Sequence, residues 1–147
     1  PYTLEAKRAA ADLLRRAIAL DPNYARAWTD LAGELNTLAD ITKRDDYLRD
    51  ARVAIERAIA LAPDRAHGYL GRAAILEMHF QDWAAVRRDL DRAFALEPNN
   101  PRVMAALAFA LSWQGRVPEA IEAYERVLDV DPLRENALTS LAYLWLY

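Results

Sequence analysis

Four prolines constrain this chain more than any other feature. Pro22, Pro63, Pro98 and Pro132 each close a similar phrase: AIALDP, AIALAP, AFALEP and VLDVDP. The intervals between them are 41, 35 and 34 residues. Proline disfavours helical geometry in the residue before it and cannot extend a helical hydrogen-bond ladder, so each phrase reads as the end of a helix. A recurring unit of about 34 residues with helical contents marks an array of stacked helix pairs. The expectation is therefore all-α: a solenoid of antiparallel helix pairs, about eight helices in all. No sheet is expected.

The proline spacing divides a single domain of residues 1–147 into five parts. Residues 1–22 are the second helix of a partial repeat, with Ala6, Ala10, Leu13, Leu14, Ala17, Ile18 and Leu20 on one apolar stripe and Lys7 largely opposite. Residues 23–63 form a repeat with a seven-residue insertion. Seven residues make about two helical turns, which predicts two lengthened helices meeting near Thr42 to Arg44. Residues 64–98 form a repeat with one extra residue, sought near Gly68 and Gly71, and Asp82 is a candidate cap for its second helix. Residues 99–132 are the regular repeat, with Gly115 ending one helix and Pro118 opening the next. Residues 133–147 repeat the first-helix pattern alone, and since the chain begins mid-pattern it reads as an excised domain.

The side chains recurring within these units resemble the tetratricopeptide repeat, whose pattern is W-x2-L-G-x2-Y, then A-x3-F, then P. Trp28, Leu31, Ala32 and Leu35 match its first half, and Ala51, Ile55, Ala58 and Pro63 its second. Met104, Leu107, Ala108, Leu111, Gly115, Ala120, Tyr124, Val127 and Pro132 follow it without gaps. Alanine stands for glycine at Ala32 and Ala108, and leucine for tyrosine at Leu35 and Leu111. The stretch from Gln81 to Leu133 also looks like repeats on the C-terminal side of bacterial signalling proteins that carry a cyclase or winged-helix output domain.

The resemblance implies a right-handed superhelical solenoid and a protein-interaction module, a scaffold or adaptor, whose first helices line a concave groove for a protein or peptide segment. Projection of the helices places Arg26, Thr29, Gly33, Asn36 and Thr37 there, then His67, Leu70, Ile75, Met78 and His79. From the last two units come Arg102, Ala105, Phe109, Ser112 and Trp113, then Asn136, Thr139, Tyr143 and Tyr147. Phe109, Trp113, Tyr143 and Tyr147 make an aromatic half-groove, a composition enriched at binding hot spots. Chaperone-binding relatives grip a C-terminal carboxylate with lysine, arginine and asparagine; here the corresponding surface offers Thr29 and Gly33, which argues against that clamp.

The alternative reading is self-assembly. Leu138, Leu141, Leu144 and Trp145 form an apolar face on the last helix, each worth roughly 1.5–3 kcal/mol when fully buried. Matching faces would give a two-fold homodimer, and head-to-tail contact a ring or filament. The dimer is favoured.

Other classes of function lack the residues they need. The net charge is −3, and arginines alternate with carboxylates, so no basic face for nucleic acid is expected. There is no cysteine, which removes thiolate chemistry and suits cytoplasm and periplasm alike, the cytoplasm slightly favoured. The histidines, His67 and His79, stand twelve residues apart, outside the spacing of three or four that zinc ligands on one helix use. No glycine-rich phosphate loop or serine–histidine arrangement occurs, and an open groove is a poor site for catalysis. No enzyme activity, cofactor or metal is expected, and no membrane insertion of this fragment.

Overall fold

The computed structural model describes residues 3–146, and these form eight α-helices: α1 (Leu4–Leu20), α2 (Ala25–Thr42), α3 (Asp45–Leu61), α4 (Ala66–Phe80), α5 (Trp83–Leu96), α6 (Pro101–Trp113), α7 (Val117–Val130) and α8 (Glu135–Leu146). The fold is the all-α, tetratricopeptide-like one. Packing divides the chain into two compact units, one up to Asp89 and one from Leu90.

In the first unit α1 packs on α2, α2 on α3, and α4 on both α2 and α3. Leu31, Ala32, Leu35 and Leu38 of α2 are buried with Ala51, Ala54, Ile55 and Ala58 of α3 and Ile75 of α4. The long pair α2 and α3 is interrupted only by Lys43 and Arg44, as the seven extra residues predict. Lys43 takes a left-handed conformation, φ 54°, to make the reversal. The face of α1 is rotated from the expected stripe. Ala11 and Ile18 are buried, with Leu4, Leu14 and Ala17 beside them, whereas Leu13 is exposed and Leu20 is 90% exposed. Spacings of seven, from Leu4 to Ala11 to Ile18, set the seam, and they turn Lys7 inward to Glu34 at 3.0 Å.

Two glycines allow α4 to approach α3. A Cβ at Gly68 would stand 2.7 Å from Ile59 Cγ1, and one at Gly71 2.6 Å from Ile55 Cδ1. The extra residue of this repeat therefore does not sit at the glycines. It lies in the last turn of α4, which ends at Phe80, so that the left-handed residue Gln81, φ 51°, falls eighteen residues after Pro63, while Gly115, φ 73°, falls seventeen after Pro98. Asp82 then caps α5 by accepting the Ala85 N–H at 3.0 Å.

In the second unit α6 packs on α7 and α7 on α8. Pro101 occupies the first turn of α6, where its missing N–H costs nothing, and Asn100 accepts the Arg102 N–H at 2.9 Å. Ala105, Ala108, Tyr124, Val127 and Ala137 are buried together.

Candidate partner-binding faces

The repeat positions have physical counterparts. Trp28 lies six residues after Pro22 and Tyr69 six after Pro63. The Trp28 indole N–H donates to the Pro22 carbonyl at 2.9 Å, and the Tyr69 hydroxyl donates to the Pro63 carbonyl at 3.0 Å. One aromatic hook thus fastens each turn to the helix it launches. The corresponding residues of the next units, Met104 and Leu138, have no such donor.

In the first unit the first helices of successive repeats, α2 and α4, face each other. Arg26 and His67, each four residues after its proline, meet at 3.1 Å between Nη1 and Nε2, and Arg26 Nε reaches both oxygens of Asp30 at 2.9 Å. A cavity of about 360 Å³ opens beside them, lined also by Asp21, Tyr24, Thr29 and Arg65. Thr29 is half-buried, its hydroxyl donating to the Ala25 carbonyl.

Farther along, Asn36 departs from its expected place as an open groove contact. It is buried; its Nδ2 donates to Met78 Sδ at 3.6 Å, and its Oδ1 meets His79 Nε2 at 2.9 Å. Asn36 thus positions Met78, which is half-exposed. Gly33 is exposed, and Thr37 and Leu70 are half-buried. Ile75, a groove candidate by sequence, is buried, and its neighbour Ala74 is exposed instead. Counting forward from Pro63 therefore gives the right face of α4, and it also brings Glu77 to the position that Asn36 holds in the preceding repeat. Burial pushes the Glu77 carboxyl above its ordinary range.

A third polar group ties α4 to its neighbours. Arg72 reaches Asp89 of α5 through Nε at 2.8 Å and Nη2 at 2.7 Å, and Glu56 of α3 through Nη1 at 3.1 Å. The hydrogen bonds to Asp89, reinforced by Glu56, raise the Arg72 pKa above its ordinary value despite desolvation. Among the described residues no group of three or more His, Asp or Glu side chains is placed to hold a metal ion.

In the second unit Phe109 and Trp113 pack edge to face, with centroids 5.9 Å apart at 65°. Phe109 is anchored against the core, while Trp113 is 65% exposed. Tyr143 on α8 is 64% exposed, and Arg102, Asn136 and Thr139 are exposed too. Ser112 is half-buried, and Ala105, a groove candidate by sequence, is buried. The apolar face of α8 separates: Leu141 and Leu144 pack on the core, while Leu138 and Trp145 stand out, Trp145 at 67% exposure. Tyr147 lies outside the described residues.

Helix pairs repeating around small buried residues, with exposed aromatic and polar side chains on their first helices, define a helical-repeat protein. A family profile described as tetratricopeptide repeat matches residues 77–142. Among solved structures, a thermophilic tetratricopeptide-repeat protein of Thermus thermophilus superposes with a TM-score of 0.83 at 22% identity, over 98% of this chain and 75% of that one. A structure of MamA gives a TM-score of 0.63 at 21% identity, over 96% and 73%. The chain belongs to the tetratricopeptide-repeat family. It is 31% identical over 118 residues to the cytochrome c-type biogenesis protein CycH of Rhizobium meliloti (strain 1021), covering 78% of this chain and 29% of that protein. It is 33% identical over 86 residues to the small glutamine-rich tetratricopeptide repeat-containing protein 2 of Saccharomyces cerevisiae, covering 56% and 25%. The chain thus spans between a quarter and a third of the length of these relatives.

Proteins of this family generally mediate protein–protein interactions, and the fold is typically a non-catalytic scaffold that binds proteins or peptides. Among the described residues no helix is long and apolar enough to cross a membrane.

Proposed function

We propose that the chain is an interaction module of a larger bacterial regulatory protein, built of the repeats 23–63, 64–98 and 99–132 with partial repeats 1–22 and 133–147, and that its first helices hold a partner segment. In the second unit the partner lies on Phe109, Trp113 and Tyr143, with Arg102 and Asn136 as polar rim. In the first it lies on Arg26, Thr29 and Met78, the last held by Asn36. The observation that carries this reading is the exposure of Trp113 while Phe109 fixes its edge. Large, oriented aromatic surface in water is where hot spots arise. The test is selection of peptides from a displayed library on the wild-type chain, followed by affinity measurement on Trp113→Ala. The expected loss is at least tenfold with helicity unchanged; equal affinity sinks the aromatic reading.

A second reading is self-assembly through the terminal helices. Ala10, Leu14 and Ala17 of α1 are only half-buried, whereas Ala51, Ile55 and Ala58, their counterparts in α3, are buried. Leu138 and Trp145 of α8 are exposed, whereas Leu35, the counterpart of Trp145 in α2, is buried. Matching α8 faces give a two-fold dimer. Light scattering over a concentration series reads this directly: Trp145→Glu makes the chain a monomer if α8 is the contact, and a wild-type monomer at all concentrations discards it.

A further inference from the structure

The second-helix side of the first unit carries a recess whose equivalent in the following repeat is filled by the chain's own side chains. The recess lies between α1 and α3, over α2, with a volume of about 300 Å³. Trp28 and Leu31 form its floor, Val53 and Ala54 belong to the α3 wall with Asp50, and Arg15 stands on the α1 wall. The repeat offsets identify the equivalent place. Arg72 stands nine residues after Pro63, as Leu31 does after Pro22. Asp89 stands nine before Pro98, as Ala54 does before Pro63, and Glu56 stands seven before Pro63, as Arg15 does before Pro22. There the Arg72 guanidinium, 5.8 Å from the centre of the Tyr69 ring, spans α3 to α5 through Glu56 and Asp89. In the first repeat leucine and alanine replace that arginine and its buried carboxylate, and the space between α1 and α3 is open and apolar.

We propose that this recess is a second docking site, which takes one large apolar side chain, a phenylalanine or leucine, from a partner segment lying across α1 and α3. Leu31 and Ala54 in place of a charged pair remove both the filling and the charge, so the group that completes the recess is apolar. The walls add direction. Arg15 Nη1 rests on Asp12 at 2.9 Å and Asp50 lies 3.5 Å from Arg49, and the side chains of Arg15 and Asp50 are each about half exposed. Both charges therefore remain within reach of a partner. The complementary segment carries an acid on the α1 side of its apolar residue and a base on the α3 side. In an extended segment these fall two residues to either side, because side chains alternate along a strand. Trp28, Leu31 and Leu35 project from α2 opposite to Arg26, Thr29 and Gly33. The recess is thus separate from the first-helix face, and neither reading depends on the other.

The probes are acetyl-Lys-Ala-Phe-Ala-Glu-amide and the reverse order, acetyl-Glu-Ala-Phe-Ala-Lys-amide. Each is titrated in low salt and followed by the resonance of the Trp28 indole N–H, which the Pro22 carbonyl holds beside the recess. One order should bind about threefold more tightly than the other, the size of effect that exposed ion pairs supply. Replacing Phe by Ala should weaken binding roughly tenfold or more. In the double variant Arg15→Glu with Asp50→Lys the preferred order should invert. Leu31→Arg with Ala54→Asp and Arg15→Glu installs the pairing of the next repeat and should abolish the Trp28 response. Matching circular dichroism shows that this variant folds; if it does not, the charge-swapped variant, altered only at half-exposed residues, carries the test. No Trp28 response in the wild type, equal binding of the Ala peptide, or an order preference that the charge swap leaves unchanged overturns the proposal. So does a Trp28 shift on concentrating the chain alone, which would make a second copy the occupant. Trp113→Ala leaves these titrations unchanged, so the two faces are read separately.

Discussion

Arg72 holds Asp89 fork to fork, Nε and Nη2 against the two carboxylate oxygens at 2.8 and 2.7 Å, and Asp89 is only 5% exposed. The pair joins α4 to α5 with geometry that only a planar guanidinium supplies. Arg72→Met orphans a buried carboxylate and should cost roughly 2–4 kcal/mol, less than the full penalty for a buried ion because the arginine is partly exposed. Replacing both partners, Arg72→Met with Asp89→Leu, should recover most of that loss. Urea denaturation of the two single variants and the double variant measures the coupling directly.

Gly68 and Gly71 bring α4 against α3, and their substitution by alanine tests how tightly. Alanine gains roughly 1 kcal/mol of helix propensity over glycine, but overpacking costs roughly 1–3 kcal/mol. Gly71→Ala meets only the terminal methyl of Ile55, so adding Ile55→Val, which removes that methyl, should restore stability. Gly68→Ala also meets the Ile59 backbone at 3.4 Å, and Ile59→Val should rescue it less. Thermal unfolding of the four variants checks the order.

The turn between α4 and α5 places a glutamine at φ 51° where the following repeat uses Gly115 at φ 73°. A left-handed conformation costs an L-residue roughly 1 kcal/mol or more. Gln81→Gly should therefore raise stability by about 0.5–1 kcal/mol, and Gly115→Ala should lower it by a similar amount, both read by urea midpoints. A destabilising Gln81→Gly would mean that its side chain contributes more than the backbone costs.

Glu77 gives the fold a pH dependence of definite sign. Burial raises its folded pKa above the unfolded value, so in the window between the two the folded state binds more protons. Stability contributed by this residue is thus lost as pH rises through that window, starting just above the ordinary carboxyl pKa. Glu77→Gln should stabilise the protein at pH 7, with the gain vanishing below about pH 4, where both states of the wild type are protonated. Denaturation at the two pH values checks it, and a gain of equal size at both would rule out ionisation as the cause.

The helical period and its register were largely legible in the sequence because proline, small residues and aromatic residues recur at fixed offsets. Trp28 and Tyr69, each six residues after a proline, share not only a place but a hydrogen bond. The face of α1 was not legible, because alanine occurs all around that helix and marks no unique side; contact with α2 selects Ala11 and Ile18. Asn36 read as a groove residue by projection, yet Met78 and His79, more than forty residues away, are what bury it. The pairing of Arg26 with His67 had a signal available, since both stand four residues after their prolines. That offset shows which side chains meet when repeats stack. Leu141 and Leu144 share a stripe with Leu138 and Trp145, but only the first two pack on the core, and a helical projection does not tell them apart.

The four tryptophans also divide the chain's light emission. Trp28 is half-buried with its indole N–H committed to the Pro22 carbonyl, and Trp83 is half-buried, whereas Trp113 and Trp145 lie mostly in water. Intrinsic fluorescence therefore reports two things at separable wavelengths: a blue component that persists while the surroundings of Trp28 and Trp83 stay packed, and a red component that collisional quenchers reach and that an occupant of either exposed indole would shift. A chain organised in this way signals occupancy and unfolding through different residues without any added label.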